Sequence, residues 1–445
     1  MHQLTLALHR QGHGVSGSDD EINDPARTNL RIAGLLPDEY GWFPEKITRE
    51  LDAVVLGMHA KADNPELKRA QELSIPVYSL PQYVYEAAKD KQRIVVAGSH
   101  GKTTITSMIM HALQAAGKDF DYLVGAKVQG FESSVRLSEA APLMVLEGDE
   151  YPASAVEKKP KIFFYHPHIS ILSGLEWDHV NVFPTREIYL DQFRHYLRMM
   201  EVGATLFYNS AESAVCDLVA ENAHHLDAQP YAMPSYRYED GTAIVTTPGG
   251  EEVRLSVFGS HNLLNMEGAR MVCEELGIEG NAFYQSMTTF AGAARRLEKL
   301  TQHGNITAFR DFAHAPSKLR ATLAAVHEAF PEHRLIAVYE LHTFSSLSEG
   351  FLTNYAGTMA PADEAMVYFS RHALELKGLP PLKSADVAQA FQLNAADVKD
   401  DKEGLVNAVN AALNTASTQP AILLLMSSGT FDGTDWKEVI ESSKR

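Results

Sequence analysis

The stretch VVAGSHGKTTIT (Val95–Thr106) has the order of a phosphate-binding loop, in which a strand runs into glycines, a lysine and a threonine. The common spelling of that loop is G-x-x-x-x-G-K-S/T, which would need a glycine at position 96. The sequence has Val96 there, and its first glycine is Gly98. A β-branched run, Arg93–Ala97, precedes the loop, and a helical stretch, Thr103–Ala116, follows it. Strand, glycine loop and helix in this order predict a nucleotide site with an unusually short loop.

The residue types of this loop fit phosphate chemistry. Gly98 and Gly101 let backbone N–H groups turn toward phosphate oxygens. Lys102 would neutralise the β- and γ-phosphates, and the hydroxyl of Thr103 would bind Mg²⁺. The alternative is an ordinary glycine-containing turn, but the flanking strand and helix favour the phosphate-binding loop. The predicted nucleotide contacts in the loop are Gly98, Ser99, His100, Gly101, Lys102, Thr103 and Thr104.

The composition is that of an ordinary globular protein. Of its 445 residues, 45% are hydrophobic and 22% are charged, and the formal net charge is −18. Nucleic acid is therefore not expected as a partner, because DNA binding normally needs a basic face. The two cysteines, Cys216 and Cys273, are too few for a disulfide framework or a Cys-type zinc site and fit a reducing cytoplasm. No apolar run approaches about 18 residues, so no membrane span is expected.

Short β-branched runs alternate with helical stretches along the chain, a pattern typical of parallel α/β layers. We predict three units: residues 1–90, residues 91–297, which open with the glycine loop, and residues 298–445. Residues 243–259 predict a hairpin around a Pro-Gly-Gly turn. Ligands in such sheets bind at the carboxyl ends of the strands. The predicted strands are 52–58, 93–98, 143–149, 169–175, 305–312, 333–341, 364–369 and 421–429.

The first residues, MHQLTLALHRQGHGVSGSDDE (1–21), predict an amphipathic helix, a glycine turn and a short strand that ends in Ser16-Gly17-Ser18-Asp19. This order is the second half of a β-α-β unit, so the expected first strand and its glycine loop would precede the chain. The stretch lacks the cationic start and the long apolar run of a signal peptide.

Two acidic motifs at the ends of predicted strands could bind a divalent cation. In the segment 147–150 (EGDE) three carboxylates stand close together, and Mg²⁺ prefers such oxygen ligands. In the segment 176–179 (EWDH) a histidine and a carboxylate could bind the cation or orient water. A solvated acidic loop and a packed tryptophan with a surface histidine are the alternatives. The phosphate-binding loop upstream favours the metal role for the first motif.

Two later motifs offer groups for a nucleoside. In the segment 259–265 (GSHNLLN) Asn262 and Asn265 lie on one face of a predicted helix, and their amides could pair with an adenine edge. In the segment 310–316 (RDFAHAP) Asp311 could bond ribose hydroxyls. The basic pair at 295–296 could face phosphate. Helix capping, a capped turn and a solvated basic pair are the alternatives.

The order of these motifs resembles the Mur ligase family. That family's loop is typically spelled G-T/S-x-G-K-T/S, which matches Gly98 to Thr103. The resemblance spans essentially the whole chain. It implies an α/β fold of three domains, with a parallel-sheet P-loop ATPase core between two Rossmann-like domains, and ATP-dependent formation of an amide bond in the cytoplasm. The segments that carry it are 98–104 (GSHGKTT), 147–151 (EGDEY), 175–179 (LEWDH), 259–265 (GSHNLLN), 290–298 (FAGAARRLE) and 310–316 (RDFAHAP).

The resemblance also implies a role for each motif, in a reaction that activates a carboxylate through an acyl phosphate. The implied cofactors are ATP and Mg²⁺. The implied catalytic residues are Lys102, Glu147 and His179, and the implied Mg²⁺ ligands are Thr103, Glu147 and His179. For the nucleotide, the implied adenine contacts are His261, Asn262 and Asn265, and Arg295 or Arg296 with Asp311 would link the third domain to it. The implied contacts of the UDP moiety are Ser16, Ser18 and Asp19.

Three stretches bear on the substrates. The segments 15–19 (VSGSD) and 63–66 (DNPE) resemble the branch of the family that starts from UDP-N-acetylmuramate. One ligase of that branch adds L-alanine in de novo peptidoglycan synthesis, and another adds the recycled tripeptide L-Ala-γ-D-Glu-meso-diaminopimelate. Residues 149–172 are similar to the second. The sequence therefore predicts the tripeptide as the amine, with L-alanine as the alternative, and a monomer or weak homodimer.

Three positions depart from the family's pattern. Gly174 stands where asparagine is frequent, Asn181 stands where aspartate is usual, and Arg310 replaces the first of two usual aspartates. Gly174, Asn181 and the missing N-terminal glycine loop keep open a further alternative, a nucleotide-binding regulatory protein that no longer ligates. A folate polyglutamate ligase shares the loop spelling, but the segment 15–19 argues against it.

Overall fold

The structure is a computed structural model, and it describes residues 1–58, 60–177, 182–292, 296–415 and 419–442. By packing in space, the chain divides into two compact units. The predicted domain boundaries at residues 90 and 297 divide the chain into three consecutive segments, whereas each of these units combines segments from different parts of the sequence. The predicted boundaries stay predictions. Unit 1 comprises Met1–Leu175, Glu187–Ala232 and Gly268–Gly280, and unit 2 comprises Glu176–Arg186, Met233–Glu267 and Asn281–Arg445.

Strands and helices alternate along most of the chain, as the sequence predicts. Within the described ranges, no helix is long and apolar enough to cross a membrane. The strands are β1 (Val54–Leu56), β2 (Val77–Ser79), β3 (Gln92–Ala97), β4 (Phe120–Leu123), β5 (Val135–Arg136), β6 (Leu143–Glu147), β7 (Ile169–Leu172), β8 (Thr205–Asn209), β9 (Asp227–Tyr231), β10 (Ser235–Glu239), β11 (Thr242–Thr246), β12 (Glu252–Leu255), β13 (Glu298–His303), β14 (Ile306–Asp311), β15 (Arg334–Leu341), β16 (Glu364–Phe369), β17 (Val398–Lys399) and β18 (Ala421–Met426). The α-helices are α1 (His2–Arg10), α2 (Ala26–Ile32), α3 (Pro65–Glu72), α4 (Leu80–Ala88), α5 (Lys102–Ala115), α6 (Arg186–Met199), α7 (Ser213–Asn222), α8 (Ser260–Glu275), α9 (Gly280–Met287), α10 (Pro316–Ala329), α11 (Glu349–Leu352), α12 (Arg371–Leu376), α13 (Ser384–Phe391), α14 (Lys402–Thr415) and α15 (Trp436–Ser442).

Unit 1 is built on a seven-stranded sheet in the order β5-β4-β6-β3-β7-β8-β9. Neighbouring strands pair in parallel, except that β5 runs antiparallel to β4. The strand β3 lies in the middle, and its residues Arg93–Ala97 are buried. Strands of parallel sheets are covered on both faces and read as continuous apolar runs, which is why this strand is visible in the sequence. A separate pair of parallel strands, β1 and β2, also belongs to unit 1.

Unit 2 is built on a six-stranded sheet in the order β13-β14-β18-β15-β16-β17. The edge strand β13 is antiparallel to β14, and the other neighbours are parallel. Leu405 and Val409 of α14 and Trp436 and Ile440 of α15 pack in one core with side chains of β14, β15 and β18. A second, antiparallel sheet of β10, β11 and β12 contains the predicted hairpin.

Each of the eight predicted strands is present, but several end earlier than predicted. The residues at 148–149, 173–175 and 427–429 lie beyond the ends of β6, β7 and β18. Apart from the buried Leu175, they are polar residues or glycines, and the chain leaves the sheet there. These positions at the carboxyl ends of parallel strands are where ligand-binding groups are expected.

The predicted short strand ending in Ser16-Gly17-Ser18-Asp19 is wrong. Residues 13–19 form no strand, although the helix α1 before them is present with four buried apolar residues. A strand needs a hydrogen-bonded neighbour, and among the described residues no strand pairs with residues 13–19. Val15 is the sole large apolar side chain of the stretch, so little hydrophobic surface holds it against a sheet.

Candidate functional site

The glycine loop joins β3 to α5 at the carboxyl edge of the seven-stranded sheet. Val96 is fully buried inside β3, so the strand continues through the position where the common loop spelling has its first glycine. Gly98 has a φ of 124°, and an added Cβ would overlap Ser173 Oγ and lie 2.9 Å from the backbone nitrogen of Gly174. This close approach of two strand ends therefore requires glycine at position 98.

The helix α5 begins directly after the loop. Its N-cap, Gly101, has a φ of 74°, a left-handed conformation that favours glycine. Thr103 and Thr104 are buried in the first turn, and Ser99 is buried in the loop. His100 Nδ1 lies 2.7 Å from Ser99 Oγ. The first N–H groups of a helix have no partner within the helix, so this end of α5 suits a phosphate group.

The ammonium of Lys102 is held by the loop and by one carboxylate. Its Nζ donates to the carbonyl oxygen of Gly98 at 2.6 Å and to Glu150 Oε2 at 2.7 Å. Burial by itself lowers the pKa of Lys102, but the carboxylates of Glu150, Asp149 and Glu147 outweigh it and raise that pKa above its ordinary value. Lys102 therefore stays positively charged at neutral pH, as a phosphate-binding group requires.

Glu147 ends β6 and lies beside the first turn of α5. Its Oε1 accepts a hydrogen bond from Thr103 Oγ1 at 2.8 Å, and its Oε2 accepts one from the backbone nitrogen of Gly125 at 2.6 Å. A hydroxyl and a carboxylate side by side are oxygen donors of the kind that Mg²⁺ prefers. The third predicted ligand, His179, lies outside the described residues. Across the part of the chain that the structure describes, no three His, Cys, Asp or Glu side chains group as a metal site.

The three acids of the predicted metal loop have separate partners. Asp149 Oδ2 accepts a bond from Lys161 Nζ at 2.6 Å, whereas Glu150 pairs with Lys102. Burial raises the pKa of Asp149, but the two lysines outweigh it and lower that pKa overall. Of the three acids, Glu147 is the one whose carboxylate accepts a hydrogen bond from Thr103 Oγ1, and its metal role stays a prediction. The pairing of Lys102 with Glu150 was missed, because three acids within four positions give no sequence signal of which one meets the lysine.

Gly174, where the family often has asparagine, is crowded by a residue that sequence reasoning missed. An added Cβ at position 174 would lie 2.9 Å from Glu212 Oε2 and 3.3 Å from Ser99 Oγ. Glu212 Oε1 also accepts a bond from the backbone nitrogen of Leu175 at 3.0 Å. Glu212 thus fixes the chain after β7 and leaves little room for a side chain at position 174. The sequence gives no local signal for this contact, because Gly174 and Glu212 lie far apart along the chain.

In unit 2, the first turn and a half of α8 carries the residues predicted for adenine. Asn262 is buried, and its Nδ2 donates to the carbonyl oxygen of Phe258 at 2.9 Å, so part of its amide stabilises the start of the helix. Asn265 is half-buried one turn further along. His261 Nδ1 is buried and has no hydrogen-bond partner among the described residues. A buried nitrogen without a partner suits a hydrogen bond to a ligand.

The environment of His261 favours its neutral form. Burial lowers the pKa of His261, the Asp311 carboxylate opposes this, and the Arg296 guanidinium adds to the lowering, so the pKa falls overall. A neutral imidazole has one donor and one acceptor nitrogen, as pairing with a base requires. The guanidinium carbon of Arg296 lies 4.6 Å from the centroid of the Phe312 ring. Arg295 lies outside the described residues.

Asp311 ends β14 and both of its carboxylate oxygens bind the protein. Its Oδ2 accepts a bond from the backbone nitrogen of Leu297 at 2.8 Å. Its Oδ1 accepts bonds from the backbone nitrogen of Ala313 at 2.8 Å and from Thr322 Oγ1 at 3.1 Å. These bonds fix the turn after β14, as the capped-turn alternative describes. A ribose contact by Asp311 stays a prediction.

Arg310, which departs from the family's pattern, is part of a cross-strand pair. Its Nη2 lies 2.8 Å from Glu298 Oε2, and the antiparallel register of β13 and β14 places these residues opposite each other. Both side chains are more than one-third exposed, so the pair adds about 0–1 kcal/mol at most. Arg310 thus has a local structural role at this sheet edge.

The residues predicted for the UDP moiety lie in the loop between α1 and α2. Ser16 and Asp19 are exposed, and Ser18 is half-buried. The backbone oxygen of Asp19 accepts a bond from the nitrogen of Gly41 at 2.8 Å. Their role in binding UDP stays a prediction.

Three models of one family match the chain in succession. The model described as "Mur ligase family, catalytic domain" matches residues 1–92, "Mur ligase middle domain" matches residues 96–273, and "Mur ligase, glutamate ligase domain" matches residues 295–429. The chain belongs to the Mur ligase family. It is therefore an ATP-dependent ligase of peptidoglycan synthesis that forms an amide bond, as the sequence predicts.

Curated relatives of this Mur ligase include both members of the predicted branch. The UDP-N-acetylmuramate–L-alanine ligase of Desulfitobacterium hafniense is 28% identical, over 88% of this chain and 87% of the relative. The UDP-N-acetylmuramate–L-alanyl-gamma-D-glutamyl-meso-2,6-diaminoheptandioate ligase of Escherichia coli is also 28% identical, over 98% of this chain and 94% of the relative.

Solved structures confirm the predicted fold class. A murein peptide ligase from Psychrobacter arcticus matches with a TM-score of 0.65 at 23% identity, over 99% of this chain and 95% of that one. The UDP-N-acetylmuramate-alanine ligase MurC from Thermotoga maritima matches with a TM-score of 0.72 at 20% identity, over 99% of this chain and 96% of that one. This Mur ligase thus has the mixed α/β architecture of these enzymes.

We expect Gly125 to be required for the position of Glu147. The Cβ of an alanine at position 125 would lie 2.9 Å from Glu147 Oε1 and 3.0 Å from Oε2, which is too close for real atoms. Gly125→Ala should therefore displace this carboxylate, lower kcat about 10- to 100-fold and raise the Mg²⁺ concentration needed for half-maximal rate. A Mg²⁺ titration of ADP release checks this. Gly350→Ala is the control, because an added Cβ there meets no heavy atom within 4 Å. Equal Mg²⁺ profiles for the two variants would contradict this role.

Proposed function

We propose that this Mur ligase joins UDP-N-acetylmuramate to the recycled tripeptide L-Ala-γ-D-Glu-meso-diaminopimelate, using ATP and Mg²⁺. The observation that carries the ATP-dependent part is the arrangement at the start of α5, where Lys102 meets Glu150 and Thr103 meets Glu147. The tripeptide is supported by residues 149–172 and by the nearly full-length similarity to the Escherichia coli relative.

The chemistry of the substrates explains why ATP is needed. A carboxylate is a poor acylating agent because it would have to expel oxide. Transfer of the γ-phosphoryl group of ATP to a lactyl carboxylate oxygen gives an acyl phosphate and ADP. The neutral amine then attacks the acyl carbon, and the tetrahedral intermediate expels phosphate and loses a proton to give the amide. Positioning and charge neutralisation supply most of the catalysis.

The residues of the glycine loop have defined parts in this proposal. Lys102 neutralises the charge on the β- and γ-phosphate oxygens, and its contact with the Gly98 carbonyl fixes its position. The backbone N–H groups of the loop bind phosphate oxygens. Thr103 Oγ1 and the Glu147 carboxylate would hold Mg²⁺, which supplies further charge neutralisation at the phosphates.

The other sequence-predicted residues keep their proposed roles. For the adenine group, support comes from the buried and unpartnered Nδ1 of His261, for which no acceptor or donor lies among the described residues. The proposed contacts are His261, Asn262 and Asn265 for adenine; Arg295 or Arg296 and Asp311 for the ribose and phosphates; His179 for a second metal; and Ser16, Ser18 and Asp19 for UDP.

A second candidate function is the addition of L-alanine to UDP-N-acetylmuramate. It is favoured by the number of relatives that carry this name, among them the Desulfitobacterium hafniense protein. The two candidates share the nucleotide chemistry and differ in the amine, so the site at the glycine loop does not discriminate between them.

Rates of ADP release with each amine test the proposal. The enzyme is given ATP, Mg²⁺ and UDP-N-acetylmuramate with either the tripeptide or L-alanine. We expect kcat/KM to be at least about 100-fold higher for the tripeptide. A site built to bind the tripeptide has polar groups of its own that would be left without a partner when L-alanine binds. A higher kcat/KM for L-alanine would show that L-alanine, and not the tripeptide, is the preferred amine, while the protein would still be a ligase. ADP release that depends on neither amine would contradict ligation itself.

A further inference from the structure

The six-stranded sheet of unit 2 reverses its strand order beside β18. The chain moves from β14 to β15 in one direction and returns from β17 to β18 in the other, so β18 lies between β14 and β15. Crossovers between parallel strands are right-handed, so the helices of these two connections lie on opposite faces. In open α/β sheets, ligands bind beyond the carboxyl ends of the strands at such a reversal.

The carboxyl ends of β15 and β18 carry a buried polar cluster at this reversal. Glu340 is 2% exposed, and its Oε2 accepts bonds from the backbone nitrogen of Phe431, at 2.9 Å, and from the Ser427 hydroxyl. His342 Nδ1 lies 3.8 Å from Glu340 Oε1. An added Cβ at Gly429 would lie 2.6 Å from His342 Nδ1, so the turn after β18 packs against the imidazole. The cluster fixes the start of the segment that follows β15.

Phe344 and Lys377 lie further out along the same edge. Phe344 follows the end of β15 by three residues and is 51% exposed. Lys377 follows α12, the helix after the neighbouring strand β16. Its Nζ lies 5.1 Å from the centroid of the Phe344 ring, within the range of a cation–π contact. In the described ranges, the lysine makes no ion pair with a carboxylate.

This pair fits the outer part of a peptide better than it fits a single amino acid. The tripeptide carries several carboxylates and extends roughly 10 Å from its reacting amine. L-Alanine carries a single carboxylate next to its amine. An ammonium without a carboxylate partner can bind a distal carboxylate, and a half-exposed ring beside it can pack against the aliphatic chain of a diamino acid.

We propose that Phe344 and Lys377 bind the distal, carboxylate-bearing part of the peptide substrate and set the preference for the peptide over L-alanine. The inference rests on the proposed function, since it concerns the amine that this ligase accepts. Phe344 and Lys377 are specificity-determining residues in this account, and neither takes part in the transfer of the phosphoryl or acyl group.

Steady-state constants of Lys377 variants with each amine test this inference. Lys377→Glu should raise KM for the tripeptide at least about tenfold with little change in kcat, because a charge-assisted contact is replaced by repulsion. Lys377→Arg should keep most of the wild-type affinity. Phe344→Ala should raise the tripeptide KM in the same direction. KM for ATP and the constants for L-alanine should not change in any of these variants.

Arg371→Gln is the matched control, because Arg371 is an exposed cation on α12 whose guanidinium is already paired with Asp400. It should leave all constants unchanged. An unaltered tripeptide KM in Lys377→Glu would overturn the inference, and so would equal effects of this substitution on the two amines. In either case, ligation of the tripeptide by the wild-type enzyme would still uphold the proposed function. A wild-type enzyme that ligates L-alanine and rejects the tripeptide would overturn both.

Discussion

Lys102→Ala is expected to lower kcat for ADP release at least about 10²-fold, because the ammonium that neutralises the phosphates is removed. The rate is measured with ATP, Mg²⁺, UDP-N-acetylmuramate and the tripeptide. The structure adds an effect on stability. Glu150 is fully buried and would lose the cation that lies 2.7 Å from its carboxylate. Removing one member of a buried ion pair costs about 3–5 kcal/mol, so Tm should fall as well.

A double variant separates these two effects. In Lys102→Ala/Glu150→Gln the buried carboxylate charge is removed together with its partner, so Tm should recover while the activity stays low. Lys161→Ala is the matched control, because Lys161 pairs with Asp149 in the same acidic loop and should keep most of the activity. Nearly normal ligation by the double variant would contradict the role of Lys102 at the phosphates.

Glu147→Gln is expected to lower kcat about 10²-fold and to raise the Mg²⁺ requirement. Glutamine keeps the size of the side chain and can still accept a bond from the Gly125 nitrogen, but it loses the negative charge that would hold the cation. The measurement is the rate of ADP release as a function of Mg²⁺ at saturating ATP.

Glu212→Gln is the control for this prediction. Glu212 is another carboxylate near the loop that accepts a backbone N–H bond, from Leu175, and it has no predicted metal role. Its Mg²⁺ profile should match that of the wild type. If Glu147→Gln gave that same profile, Glu147 would not be a metal ligand.

The fold could be predicted where a single local signal was sufficient. The strands β3, β15 and β18 are covered on both faces and therefore appear as continuous apolar runs. The strand β10 was missed, because Arg237 and Glu239 on its exposed face pair with charges on β12 and break the apolar pattern. The short strand predicted to end in Ser16-Gly17-Ser18-Asp19 was wrong, because a sequence pattern does not show whether a hydrogen-bonded neighbour exists.

The candidate site could be predicted by residue type but not by partner. The glycines, Lys102 and Thr103 follow from the chemistry of phosphate binding, and the structure places them together at the start of α5. Which nearby acid contacts Lys102 and which contacts Thr103 depends on how β6 ends beside α5. No local sequence pattern shows this arrangement. Gly125 and Glu212 were missed for the same reason, since each acts through a contact with a distant segment.

The transfer of oxygen from the lactyl carboxylate to phosphate tests the central claim most directly. UDP-N-acetylmuramate with both carboxylate oxygens labelled with the heavy oxygen isotope is incubated with enzyme, ATP, Mg²⁺ and the tripeptide. Mass spectrometry then measures the label in the released phosphate and in the ligated product. If ATP activates the carboxylate, each released phosphate carries a single labelled oxygen and the new amide carries the other. Unlabelled phosphate, or ADP release without UDP-N-acetylmuramate, would contradict activation of the carboxylate by ATP.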